Sequence, residues 1–146
     1  MDVVASLEAP CPASRLFQSV DDLGLYPRWL DLVHRAEPDE SATNAWHVEL
    51  RAGIGPLTRS KKLRMQRTVH DPVAGLARFE RHELDGRQHS PWVLEAVVTA
   101  LGSGSMLTMN LHYGGSLWTG GLVERALADQ IINGRQRLLA ILATTP

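Results

Sequence analysis

The sequence predicts a single α+β domain spanning residues 1–146, in which a strand and two short helices precede six antiparallel strands and a long C-terminal helix. Three observations support this prediction. Apolar and polar residues alternate with a period of two in strands between residues 34 and 113. Turn residues, mostly Gly, Pro, Asp and Ser, divide that segment into short pieces. In the last part of the chain, apolar side chains recur with the helical period of about 3.6 residues.

The first three predicted elements lie within the first 30 residues. Val3–Leu7 is rich in β-forming residues and two prolines follow it closely, so we expect a strand there. Pro12–Val20 has apolar residues at the three-four spacing of a helix with one buried face. Pro27 is predicted to open a second short helix that carries Trp29, because a proline in the first helical turn loses no hydrogen bond.

Six candidate strands follow, and the turns between them are short. Trp46, Val48 and Leu50 alternate with polar neighbours, which predicts a sheet with one covered face and one wet face. Short connections between successive strands favour an antiparallel meander. The strands are predicted over His34–Glu37, Ala45–Arg51, Leu57–Val69, Gly75–Glu83, Trp92–Leu101 and Met106–Tyr113.

The chain ends in a predicted helix from Trp118 to Leu142, and one stripe of this helix is apolar. Gly134 lies within the stripe, although a glycine inside a helix costs about 1 kcal/mol relative to alanine. The missing side chain therefore predicts either that the sheet comes very close to the helix there or that space is kept for something else.

Composition excludes several classes of function. Fifteen basic and sixteen acidic residues give a net charge of −1, so no global field attracts nucleic acid or an anionic membrane. The single cysteine, Cys11, excludes an internal disulfide, and the six histidines lack metal-ligand spacing. We therefore predict no metal and no cofactor. No apolar run of about 18 residues and no secretory pattern is present, which predicts a cytoplasmic protein without stable membrane insertion.

The order of elements and three motifs resemble the START-like superfamily, also called SRPBCC, which includes polyketide cyclases, lipid-transfer domains and birch-pollen allergens. The motifs are Leu7-Glu-Ala-Pro10 running into the first helix, Asp21–Trp29 with its similarity to D-x-x-x-Y-P-x-W, and Trp92 opening the penultimate strand. The resemblance covers almost the whole chain. It implies a helix-grip fold, in which a curved antiparallel sheet wraps around the C-terminal helix and encloses a cavity. Tyr26 and Trp29 would then lie at the mouth of that cavity.

Alternation within this implied fold selects the residues that are expected to line the cavity. The same apolar positions equally suit a filled core, so the pattern alone leaves both possibilities open. Arg67 and Arg81 share the inward parity; each is expected either to hold a carboxylate or phenolate guest or to reach water where its strand twists or bulges. The predicted lining residues are Trp46, Val48, Met65, Phe79, Trp92, Leu94, Met109, Leu111, Tyr113, Leu127 and Ile131.

The resemblance implies binding or transport of a hydrophobic small molecule such as a lipid, a polyketide or an aromatic metabolite. One alternative is a polyketide aromatase/cyclase or dehydratase that uses the same cavity, and another is a protein-interaction domain with a filled core. The sequence contains no G-x-S-x-G elbow, P-loop or dinucleotide fingerprint, so we assign no catalytic residue. The polar groups available for a cyclase are Arg67, Arg81, His82 and Tyr113. The oligomeric state stays open, a homodimer included.

Overall fold

Seven strands and three helical segments make up the fold of the described part of the chain. The computed structural model describes residues 2–54, 57–114 and 122–144, with no side-chain detail for 52–54, 57, 122–127 and 144. The predicted order of elements is confirmed, and the strand ends shift by a few residues. The elements are β1 (Asp2–Ala9), α1 (Ala13–Gln18), a 3₁₀ helix (Leu23–Arg28), β2 (Val33–Pro38), β3 (Ala45–Ile54), β4 (Leu57–Asp71), β5 (Leu76–Arg81), β6 (Trp92–Leu101), β7 (Gly104–Tyr113) and α2 (Leu122–Thr144).

All seven strands belong to one sheet with the order β1-β7-β6-β5-β4-β3-β2, and every neighbouring pair is antiparallel. Strands β2 to β7 therefore form the predicted meander, and β1 adds to its far edge beside β7. The sheet curls around α2, which confirms the helix-grip fold. The face towards α2, called the inner face below, carries the buried apolar residues, such as Val48, Leu63 and Leu111.

The second short helix begins earlier than Pro27. Its N-cap is Asp22, whose side chain accepts a hydrogen bond of 2.9 Å from the backbone N–H of Gly24. Pro27 lies near the end of this 3₁₀ helix, so the prediction that it opens the helix is wrong. An aspartate that caps the first free N–H groups is a stronger start signal here than the proline.

Gly134 allows α2 to approach the end of the 3₁₀ helix. A Cβ atom at this position would lie 2.2 Å from the carbonyl oxygen of Trp29 and 3.4 Å from its Cε3 atom. The close approach expected from the sequence is therefore present, but the partner is the segment after the 3₁₀ helix and not the sheet. Arg137 fixes the same contact through two bonds, of 2.7 and 2.9 Å, to the carboxylate of Asp31. Trp118, the predicted start of the helix, lies outside the described residues.

Candidate ligand-binding site

The inner face of the sheet and the segment around the 3₁₀ helix enclose a small apolar hollow. Its volume among the described residues is about 20 Å³, which is room for about one water molecule. All of its lining side chains are apolar, and apolar cavities of this kind contain no water. The lining residues are Leu23, Leu30, Leu32, Val33, Val48, Leu50, Leu63, Met65, Trp92, Leu94 and Leu111.

The structure brings only part of the predicted lining set to this hollow. Val48, Met65, Trp92, Leu94 and Leu111 line it. The remaining described members are buried against other side chains, since aromatic rings on the inner face pack on one another: the ring centroids of Trp46 and Phe79 lie 5.7 Å apart, and those of Trp92 and Tyr113 lie 5.2 Å apart. Those buried members are Trp46, Phe79, Met109, Tyr113 and Ile131. The side chain of Leu127 lies outside the described residues.

Tyr26 and Trp29 are not at an open mouth. Tyr26 is 0% and Trp29 1% exposed, and their ring centroids lie 5.3 Å apart. The Tyr26 hydroxyl donates a 2.8 Å hydrogen bond to the carbonyl of Val20, and its ring meets Phe79 edge to face. Burial raises the pKa of Tyr26 far above its usual value. Tyr26, Trp29 and Phe79 therefore form a closed aromatic cluster, called the aromatic plug below, which corrects the position expected for Tyr26 and Trp29.

The guanidinium of Arg67 is held by contacts with Asp21 and Trp46. Its Nη1 donates a 2.8 Å hydrogen bond to the carbonyl of Asp21, and its guanidinium carbon lies 5.9 Å from the centroid of the Trp46 ring. The pairing of β4 with β5 shifts register between Arg67 and Val69, which is the bulge that the sequence alternative allowed. The Arg67 side chain contacts a backbone carbonyl and the face of Trp46, so its guanidinium is already occupied by groups of the protein.

Arg81, the last residue of β5, lies opposite Met65 in the ladder between β4 and β5. Its side chain is 10% exposed, and its Nη2 lies 3.3 Å from Glu83 Oε2. Its Nη1 lies 3.3 Å from both the carbonyl and the hydroxyl of Ser90. These contacts are longer than usual charge-assisted hydrogen bonds, so the guanidinium keeps capacity for a better acceptor.

Lys61 adds a second cation beside Arg81. Burial lowers the pKa of Lys61, the positive charge of Arg81 lowers it further, and Glu83 acts in the opposite direction. Glu83 also accepts a 2.8 Å hydrogen bond from the backbone N–H of Arg64 through its other carboxylate oxygen. Arg81 and Lys61 stand opposite the lining residues Met65 and Leu50 in their ladders, and Arg81 alone pairs with the carboxylate of Glu83, so this part of the hollow favours a negative group.

An ion pair on the outer face is the main feature that alternation did not predict. Arg64 has outward parity, yet it is buried, and its Nε donates a 2.8 Å hydrogen bond to Asp39 Oδ2. The backbone N–H and the hydroxyl of Ser41 donate to Asp39 Oδ1 at 2.7 and 2.6 Å. The hydrogen bond from the Ser41 side chain has the largest effect and that from Arg64 the next largest, and together these bonds hold the pKa of Asp39 well below its usual range. The available signal was the Asp39-x-Ser41 spacing, which is typical of an Asx turn.

Histidines contribute no metal site within the part of the chain that the structure describes. No group of three or more His, Cys, Asp or Glu side chains in that part is placed to hold a metal ion. His89 Nε2 lies 2.9 Å from Asp85 Oδ2. Among the same described residues, no helix has the length and apolar character that crossing a bilayer requires.

Comparisons with known proteins agree with this architecture. START superfamily protein from Mycobacterium smegmatis is similar to the chain, with a TM-score of 0.68, 13% identity and coverage of 97% of both chains. Zhui aromatase/cyclase from Streptomyces sp. R1128 is similar with a TM-score of 0.62 and 13% identity, over 98% of this chain and 93% of that one. TTHA0849 from Thermus thermophilus gives a TM-score of 0.69 and 19% identity, over 99% and 100%.

At these identities the structural matches establish the fold alone. A search of curated proteins gave no significant match. The sequence model of one family, described as polyketide cyclase / dehydrase and lipid transport, matches residues 1–145. The match covers the sheet and the segment around the 3₁₀ helix, and therefore all the residues that line the hollow. The chain belongs to the polyketide cyclase / dehydrase and lipid transport family.

Proposed function

We propose that this protein binds a hydrophobic small molecule between the inner face of the sheet and the segment around the 3₁₀ helix, with an acidic group of that molecule beside Lys61 and Arg81. The observation that carries the proposal is that two inward-facing cations lie beside a purely apolar hollow. Met65 and Leu50 line the hollow, and Arg81 and Lys61 stand opposite them in the ladders of the sheet. A lipid acid, a polyketide acid or a phenolic metabolite has the matching polarity.

The hollow must enlarge when such a guest binds. Ligand pockets usually measure about 300–1,000 Å³, whereas the described residues enclose about 20 Å³. Met65 lies in the wall nearest Arg81 and has an unbranched, flexible side chain that adapts to different shapes. We therefore expect the guest to displace side chains beside Lys61 and Arg81 and to leave the aromatic plug in place.

The proposal is tested by titrating the protein with a fluorescent fatty acid and with the matching neutral fatty alcohol. Arg81→Gln should weaken binding of the acid about tenfold, the value of one lost charge-assisted hydrogen bond, and should leave binding of the alcohol nearly unchanged. Arg78→Gln is the matched control, because Arg78 lies on the same strand and pairs with Glu95 on the outer face. Equal weakening by both variants, or an equal effect on acid and alcohol, would contradict the role of Arg81.

A second candidate is a polyketide cyclase or dehydratase. The family description favours it, and Arg81 and Ser90 place polar groups beside the apolar hollow. Such an enzyme works mainly by positioning a reactive chain next to groups that assist proton transfer. Arg81→Gln should then abolish cyclisation of a poly-ketone substrate while the affinity for neutral lipids persists. Unchanged turnover in this variant would remove Arg81 from the mechanism.

The small volume of the hollow favours a third candidate, a protein-interaction domain whose core is filled by its own side chains. Native mass spectrometry of the purified protein separates this candidate from the first. A co-purifying small molecule, or saturable uptake of the fluorescent fatty acid, supports ligand binding. The absence of both would leave the filled core as the better explanation.

A further inference from the structure

A cleft much larger than the inner hollow lies on the outer face of the sheet. It measures about 590 Å³ and is bounded by the outward side chains of β2, β3 and β4 and by Glu83–Asp85, which follow β5. We call it the outer cleft. Its volume falls within the range of small-molecule sites. The sheet lies between the outer cleft and the hollow, and Glu83 borders the outer cleft and also pairs with Arg81.

The Arg64 guanidinium forms part of the wall of the outer cleft and is held in a fixed position. The residue is 6% exposed and lines the cleft. Its Nε donates to Asp39 Oδ2 at 2.8 Å, its Nη1 donates to the carbonyl of His82 at 2.9 Å, and its backbone N–H donates to Glu83 Oε1 at 2.8 Å. Nη2 has no hydrogen-bond partner among the described residues. Because three bonds fix the rest of Arg64, this nitrogen is held in place before any ligand arrives.

Charges around the outer cleft are largely paired, that of Arg64 with Asp39 included, and Lys62 is the exception. Lys62 lies two residues before Arg64 on the same face of β4, and it forms no ion pair within the described part of the chain. The cleft also contains four carboxylates, but each has a basic partner within 4 Å. Those pairs are Glu37 with Arg35, Glu49 with Arg51, Glu83 with Arg81 and Asp85 with His89.

We propose that the outer cleft is a second binding site, for a small molecule that carries a carboxylate or phosphate group held by Lys62 Nζ and Arg64 Nη2. Leu84 lines the same cleft and is largely exposed, so it offers an apolar contact to the body of the ligand. A fixed guanidinium beside a mobile ammonium suits either anion, since the arginine sets direction and the lysine adds charge.

The test uses inorganic phosphate and acetate as separate probes, each titrated into the whole chain at low ionic strength and followed by backbone amide NMR shifts. Saturable shifts at Arg64, His47 and Leu84 are expected with at least one probe, and the probe that binds identifies the anionic group. Lys62→Gln should weaken that binding about tenfold.

Arg59→Gln is the matched control, because Arg59 is exposed on the same strand, does not line the cleft and carries the same charge. It should leave the affinity nearly unchanged. Linear, unsaturated shifts with both probes would overturn the proposal. So would equal weakening by the two substitutions, since it would mean that the anions follow overall charge and not this cleft.

Discussion

The substitution Gly134→Ala tests whether the glycine is needed for the close packing of α2 against Trp29. At an exposed helix position this substitution stabilises a protein by about 1 kcal/mol, because alanine has the higher helix propensity. In this structure the new Cβ would lie 2.2 Å from the carbonyl oxygen of Trp29. The helix and the segment after the 3₁₀ helix must then separate by about 1 Å to restore ordinary van der Waals contact.

The cost of that separation exceeds the gain in propensity. Overpacking a well-packed contact costs about 1–3 kcal/mol, and the upper value applies because the obstructing atom belongs to the backbone and not to a flexible side chain. We therefore expect Gly134→Ala to lower the free energy of unfolding by about 2 kcal/mol net. Gly134→Leu should destabilise the protein further, so it is unsuitable as a variant that blocks a cavity in an intact fold.

Urea unfolding followed by circular dichroism measures this difference as a shift in midpoint at constant slope. Asn133→Ala is the matched control, since Asn133 is the preceding residue of α2, is exposed and also gains helix propensity. It should stabilise the protein slightly. If Gly134→Ala stabilised the protein as the control does, the close contact with Trp29 would be absent and the reasoning refuted.

Two further predictions concern stability and pH. Bonds from Ser41 and Arg64 lower the pKa of Asp39, so its contribution is full above the unfolded pKa of about 4 and is lost as the pH falls below it; the stability difference between wild type and Asp39→Asn should therefore shrink in urea titrations towards pH 2, and a constant difference would contradict this. Burial raises the pKa of Tyr26, so its contribution is full below the unfolded pKa of about 10 and lost above it. Tyr26→Phe should cost about 1–2 kcal/mol at neutral pH by leaving the Val20 carbonyl unpaired, and it should reduce the loss of stability above pH 10; an unchanged alkaline profile would argue against the buried hydroxyl.

Local sequence signals were sufficient to predict the strands, because alternation and turn residues act over a few positions. The end of β5 shows where such signals stop. The predicted strand continued to Glu83, but the observed strand ends at Arg81. The carboxylate of Glu83 takes the place of a backbone carbonyl as the acceptor for the N–H of Arg64 on β4. Because Glu83 bonds to β4 through its side chain and not through its backbone, β5 ends at Arg81 although the alternation of apolar and polar residues continues to Glu83.

The site was harder to predict than the fold, because parity gives the face of a residue but not its neighbours. Arg64 points outward, yet the chain beyond β5 covers it and Asp39 neutralises it. Arg67 points inward but follows a bulge to the carbonyl of Asp21. Tyr26 and Trp29 belong to a segment that the resemblance placed at a mouth, and α2 covers that segment through Gly134. Each outcome depends on a contact between residues distant in sequence.

The polar groups on the inner face differ in how firmly they are held, and this difference predicts where a guest enters. The Tyr26 hydroxyl and the Arg67 guanidinium each make a 2.8 Å hydrogen bond to a backbone carbonyl. The contacts of Arg81 with Glu83 and Ser90 measure 3.3–3.4 Å. Hydrogen bonds weaken with distance, so a carboxylate replaces the partners of Arg81 at lower cost than any group displaces the plug. The proposed guest is therefore expected to enter beside Arg81, with its apolar part directed towards Met65 and Leu94.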